Sequence, residues 1–134
     1  MADITIQLPW TDPALLPNER NSWGKFAKIN GSRKAKKQRK DACDLTREAL
    51  NGKTLPDNIF KCIIHTIYHP PTGRGGARDE DNRNAALKSA FDGIADALGV
   101  DDRIFSHTSE LSNKVGRGVI FITVRIFTKD EELK

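Results

Sequence analysis

The chain predicts an α/β (α+β) fold: a single mixed β-sheet of about four strands with two helices packed on it. Three observations lead there. Apolar residues alternate with period two over 4–8 and again over 119–127, as half-buried strands do. They recur at three- and four-residue spacing over 87–98, as in a helix with one buried face. The segments succeed one another as strand, helix, strand, helix, strand, strand, an order that one sheet can absorb. The 134 residues fit one domain, taken as 1–134, and suffice for a core without disulfides.

Ile4-Thr5-Ile6-Gln7-Leu8 alternates and stops at Pro9, giving a short first strand. Residues 11–31 read as loop, punctuated by Pro13, Pro17, Asn18, Gly24 and Gly31. Ser32 suits the N-cap of a helix that reaches Leu50 and ends at Asn51-Gly52. The first half of that helix, Arg33 to Lys40, is basic nearly all round. Its apolar stripe is thin: Ala35, Ala42, Leu45 and Ala49, with Cys43 and Leu50 at the margin. Ile59 to Tyr68 is rich in β-branched residues and reads as a well-buried strand. A Pro- and Gly-rich basic loop follows over 69–77. The second helix, from about Asn82 to Leu98, places Leu87, Phe91, Ile94 and Leu98 on one face and stops at Gly99. A weak strand over 104–111, a hairpin-type turn over 113–118 and a strong strand over 119–127 complete the sheet. Residues 129–134 form a charged tail.

Charge narrows the function. The net charge is +4, but residues 20–47 hold ten Lys/Arg against two Asp, a local +8, so the remainder sums to −4. A concentrated basic segment with a separate acidic cluster points to a polyanion held against a metal site. The plain structural alternative is a solvated helix face. No run approaches the ~18 apolar residues that a membrane span needs. Residues 1–10 alternate and carry Asp3, unlike a secretory signal, so a cytoplasmic protein with no membrane partner is expected. Cys43 and Cys62 lack zinc or redox spacing and read as reduced, buried thiols. His65, His69 and His107 have no partner at ligand spacing. There is no Ser-His-Asp pattern and no phosphate-cradling Gly-rich motif.

The chemistry concentrates in Arg78-Asp79-Glu80-Asp81-Asn82. Residues i and i+2 diverge by about 200° on a helix. In extended backbone they point the same way, with Cα atoms roughly 6.5–7 Å apart. Asp79 and Asp81, ahead of the second helix, can therefore face one cation. Asp81 can alternatively cap that helix. Beyond Gly99, Asp101-Asp102 can deliver a third carboxylate, or can simply be a polar turn. Clustered carboxylates repel and raise each other's pKa, and a divalent cation removes that penalty. Magnesium takes hard oxygen ligands and substrate phosphate. It would activate water and polarise the phosphoryl group of a phosphodiester. Lys88, two turns beyond Asp81, can stabilise charge on the phosphate or pair with Asp92. The candidate DNA contacts are Arg20, Trp23, Lys25, Arg33, Lys34, Lys36, Lys37, Arg39 and Lys40, with Arg74 and Arg78 from the loop. Trp23 and Phe26 serve either to stack on bases or to fill the core.

These stretches resemble the RusA-type Holliday-junction resolvases of bacteria and their phages. The resemblance rests on Arg78-Asp79-Glu80-Asp81-Asn82, Lys88 to Ile94 and Leu98-Gly99-Val100-Asp101-Asp102. It extends to Leu8-Pro9-Trp10 and Pro17-Asn18-x-Arg20-x-x-Trp23, covering roughly residues 4–127. It implies a homodimer, active in DNA recombination and repair, that binds four-way or other branched DNA and nicks strands symmetrically. It implies magnesium, with manganese as a substitute, held by Asp79, Asp81 and Asp102 with Asp101 alongside, and Lys88 as the helix lysine. The competing expectations are a DNA-binding protein without catalysis and an assembly protein whose basic helix is merely solvated.

Overall fold

The computed structural model describes residues 2–11, 24–53, 55, 58–71, 84–112 and 116–128. Four strands form one mixed sheet: β1 (Ala2–Pro9), β2 (Ile59–Pro71), β3 (Phe105–Leu111) and β4 (Arg117–Thr128). Their order across the sheet is β1-β4-β2-β3. β4 runs antiparallel to both β1 and β2, and β3 runs parallel to β2. Two helices, α1 (Gly24–Leu50) and α2 (Lys88–Leu98), join the strands in the predicted succession. This is the α+β architecture expected from the sequence.

The alternation of the strands becomes a two-sided sheet. Ile4, Ile6 and Leu8 of β1, Cys62, Ile64, Thr66 and Tyr68 of β2, and Ile120, Ile122, Val124 and Ile126 of β4 are buried. They form one core with Leu87, Ala90, Phe91, Ile94 and Leu98 from the α2 region. The opposite face carries Thr5 against Thr123, Asp3 against Arg125, and His65, whose Nδ1 lies 2.6 Å from Thr108 Oγ1. β2, expected to be well buried, has every second residue from Cys62 buried, half-buried residues between them, and Lys61 exposed. The helices cover one side of the sheet, so the strand's apolar run meets the core on one face only.

The first helix corrects the sequence expectation. It starts at Gly24, not after Ser32, so residues 24–31, read as loop, are its first two turns. Gly31 is buried within it, and the packing this permits overrides a helix propensity about 1 kcal/mol poorer than alanine's. The predicted stop holds: Asn51 and Gly52 both take positive φ, at 49° and 75°. Ala49 is exposed, and the position facing the core is Thr46, whose hydroxyl donates to Ala42 O at 2.7 Å. That bond satisfies a group which burial would otherwise strand without water.

α2 packs directly on α1. At Gly93 an added Cβ would sit 2.1 Å from Arg39 O, so only glycine lets the two backbones approach this closely. Leu87 occupies the N-cap of α2 and has no side-chain oxygen to offer its amides. Gln38 of α1 supplies one: its Oε1 accepts from Ala90 N at 3.1 Å. At the other end, Gly99 takes φ 69°, and Gly99 N and Val100 N bond to Asp96 O and Ala95 O, closing the helix.

The expected hairpin over 113–118 is not one. β3 and β4 are not neighbours, since β2 lies between them. The connection passes the end of β2, where Ser112 N donates to Tyr68 O and Gly116 N to Pro70 O. Residues 113–115 of that connection lie outside the described residues. No helix among the described residues is long and apolar enough to cross a membrane.

Candidate functional site

Asp101 and Asp102 follow the α2 stop and open a single 3-10 turn, Asp102–Ile104, that leads into β3. Asp101 takes extended backbone and caps that turn. Its Oδ1 accepts from Arg103 N at 2.9 Å, and its Oδ2 lies 3.2 Å from Arg103 Nε. The Arg103 backbone amide and then its guanidinium hold the Asp101 carboxyl below the usual carboxylate range. Both Asp101 oxygens are thus engaged within their own turn. Asp102 is exposed beside it. Both carboxylates are exposed; Asp102 makes no bond to Arg103, and its side chain approaches that of Asp101.

Asp102 also lies near His107 of β3. The His107 imidazole packs against Phe91 at 4.6 Å between ring centroids and against Phe105 at 6.2 Å. The two rings desolvate one side of an imidazole that is otherwise exposed on β3, which pushes its pKa down, and the Asp102 charge draws it partly back. Sequence reasoning found nothing at His107, because the contact with Phe91 of α2 is made only on folding.

Lys88 opens α2, while Asp101 and Asp102 follow its far end, about 15 Å of helix away at 1.5 Å per residue. Its ammonium lies 3.8 Å from Asp92 Oδ1, the i,i+4 pairing weighed from the sequence. Asp79, Asp81, Arg74, Arg78, Arg20 and Trp23 lie outside the described residues. Among the described residues no group of three His, Cys, Asp or Glu side chains could hold a metal ion. Asp101 and Asp102 are the described members of the predicted carboxylate set, and their oxygen donors are of the kind a hard cation takes.

The predicted DNA-contacting cations of α1 differ in their partners. Lys37 pairs with Asp41 at 2.6 Å and Lys40 with Asp44 at 2.9 Å, both one turn along α1. Arg39 turns the other way. Its Nε and Nη2 donate to Asp96 Oδ2 and Oδ1 at 2.7 and 2.9 Å, a two-pronged bond that ties α1 to α2. The Arg39 guanidinium in turn holds the Asp96 carboxyl below its ordinary range. Arg39 therefore ties the two helices together while its side chain stays exposed. Arg33 and Lys36 are exposed with no carboxylate partner among the described residues, and Lys34 is half-buried. Arg33, Lys36 and Lys40 are spaced i, i+3, i+7 and share one outward face of the helix. Lys25 falls in the first turn of α1, where only the main chain is described.

A cleft of about 250 Å³ opens between the end of β1 and α1. Trp10, Thr11, Lys34, Lys37, Gln38 and Asp41 are among its walls. Trp10 meets Tyr68 edge to face, with centroids 6.1 Å apart. The Tyr68 hydroxyl donates to Asn84 Oδ1 at 2.7 Å, which fixes the cleft beside the approach to α2. The sequence gives no sign of this cleft, because strand end and helix meet only on folding.

No family model matches the chain. It is 34% identical over 124 residues to an uncharacterized protein of Xylella fastidiosa (strain Temecula1), covering 89% of this chain and 75% of that one. Among solved structures it is similar to a CDP complex of IspF from Plasmodium falciparum, with a TM-score of 0.34 and 13% identity over 78% of this chain. The chain spans 59% of that protein's length, and a likeness at that score carries no functional argument.

Proposed function

The chain belongs to the same family as the Xylella fastidiosa protein, and from its own residues we propose that it is a magnesium-dependent endodeoxyribonuclease of branched DNA. In this reading it is RusA-like. It acts as a homodimer on four-way or related junctions in recombination and repair, cutting one strand per subunit about a two-fold axis. The observation that carries it is the outward cationic face of α1, Arg33, Lys36 and Lys40, on a helix clasped by Arg39–Asp96 to the element that leads into Asp102.

In this reading Asp79, Asp81 and Asp102 hold the magnesium ion, with manganese a working substitute. Bound there, the ion would lower the pKa of a water and polarise the phosphoryl oxygen. The chain's own cations position the substrate: Arg33, Lys36 and Lys40 engage successive phosphates without reading sequence. Lys88 would steady charge on the phosphate; its 3.8 Å i,i+4 contact with the half-buried Asp92 is worth only about 0.2–0.5 kcal/mol and leaves the lysine exposed.

A synthetic four-way junction and a linear duplex of matched sequence, each with and without magnesium, test the reading. Paired nicks in the junction alone, dependent on magnesium, are the expected result. Asp79→Asn should retain junction binding and lose cutting. Junction binding with no cutting by the unaltered protein in either metal would leave a DNA-binding protein without catalysis. Failure to bind any DNA at low ionic strength would remove the nucleic-acid reading altogether, leaving α1 as a solvated face.

A further inference from the structure

We propose that the cleft between the end of β1 and α1 holds one unpaired nucleotide of the DNA strand, its base against Trp10 and its phosphate against Lys37 and Lys34. The proposal rests on the branched-DNA reading above and adds to it a second, separate contact.

Size comes first. The cleft measures about 250 Å³. That is below the ~300–1,000 Å³ of sites that enclose drug-sized ligands, and it suits a single ring system. Its walls then select the ring. An indole provides a stacking surface that any base can use. That surface is held in place: Trp10 abuts Tyr68, and Tyr68 is anchored by its bond to Asn84. A contact surface fixed in advance loses little freedom on binding.

The polar groups follow. Gln38 spends its Oε1 on the Ala90 amide, which leaves its Nε2 as a hydrogen-bond donor lining the cleft. Asp41 offers a carboxylate acceptor on the next turn, one oxygen of which binds Lys37. A donor and an acceptor side by side match the Watson–Crick edge of a base. That edge is exposed only when the base is unpaired. Lys37, its side chain 72% exposed, and Lys34 set positive charge at the same wall, where a backbone phosphate would lie. A paired duplex offers phosphates to these lysines but no free base edge to Gln38 and Asp41.

Position gives the cleft its use. Both its anchors, Tyr68 to Asn84 and Gln38 to Ala90, lead to the start of α2. Asn84 follows Asp81 by three residues in the chain. Three residues of chain span at most about 11 Å, so under the proposed function a strand at the acidic segment would have a neighbouring nucleotide within reach of the cleft. Branch points supply unpaired bases more readily than linear duplex, so the cleft would favour them.

The chain has two tryptophans, so Trp23→Phe leaves Trp10 as the sole reporter of indole fluorescence, and anisotropy against the unaltered protein reads any affinity that Trp23 itself contributes. In metal-free, low-salt buffer this variant is titrated with a single-stranded oligonucleotide and with a fully paired duplex. Occupancy is followed separately by anisotropy of the labelled DNA. The expected result is saturable quenching by the single strand and little change with the duplex at equal occupancy. Trp10→Ala should weaken single-strand binding about 10-fold relative to duplex, with Trp10→Phe restoring most of it. Trp10→Phe and the fluorescence of the intact ring keep the test sound if Trp10→Ala fails to fold. Single-strand binding without a change in Trp10 emission overturns the cleft assignment and leaves the nuclease reading standing. Quenching by a deoxynucleoside monophosphate but not by the oligonucleotide overturns its placement on a DNA strand. Absence of all DNA binding overturns both readings together.

Discussion

Asp101 and Asp102 are adjacent in sequence and differ in employment. Asp101 is bound at both oxygens to Arg103, and Asp102 is exposed. Asp102→Asn is expected to abolish junction cutting while leaving junction binding intact. Asp101→Ala is expected to lower the thermal midpoint by loosening the turn into β3 while cutting persists. Loss of cutting in Asp101→Ala with full activity in Asp102→Asn would reverse the assignment. The sequence shows two candidates, and what tells them apart is a three-residue turn whose hydrogen bonds are local. His107 gives a second prediction at this scale. An imidazole ordinarily titrates near 6.5, and burial lowers this one. As pH falls, the unfolded chain takes up the proton before the folded one does. Stability is therefore fully present above about pH 6.5 and falls as pH drops from there toward the lower folded value, then levels off. Urea midpoints across that range should show the decline, and His107→Phe should flatten it. An imidazole that titrates by NMR above 6.5 in the folded protein would contradict the burial argument.

Between elements, the tightest constraint is the crossing of α1 and α2 at Gly93. A methyl group there would overlap Arg39 O, and neither backbone can yield without moving a helix. Gly93→Ala should destabilise by about 1–3 kcal/mol or more, read as a lowered urea midpoint with unchanged slope. The outer face of α1 makes a different prediction. Each phosphate neutralised contributes about 0.9 to the slope of log K against log salt. Changing Arg33, Lys36 and Lys40 to Gln together should therefore reduce that slope by about 2–3. No reduction would place the DNA elsewhere. Of these elements the sequence showed the strands, α2 with its Gly99 stop, and the basic helix with its end at Asn51-Gly52. It misplaced the start of α1 because Gly31 argues locally for a loop, and its burial is a tertiary fact. It showed the positive charge of Arg39 but not its partner, since Asp96 is 57 residues away along the chain.

For the molecule as a whole, sheet order was the least legible property. Periodicity tells which residues form strands and which side faces the core, and both followed. It does not tell which strands are neighbours, so the turn after β3 looked like a hairpin when β2 intervenes. The carboxylates were legible as spacing alone: Asp79 and Asp81 lie outside the described residues, and the turn distinguishes only Asp101 from Asp102. The strand order has a consequence in time. β4 is the last of the four strands in the chain, yet it lies between β1 and β2, and β1 has no other partner in the sheet. During synthesis the first strand must wait, unpaired, until residues 117–128 leave the ribosome. A nascent chain arrested before residue 117 should stay protease-sensitive through residues 2–9, and release of β4 should protect both strands in a single cooperative step.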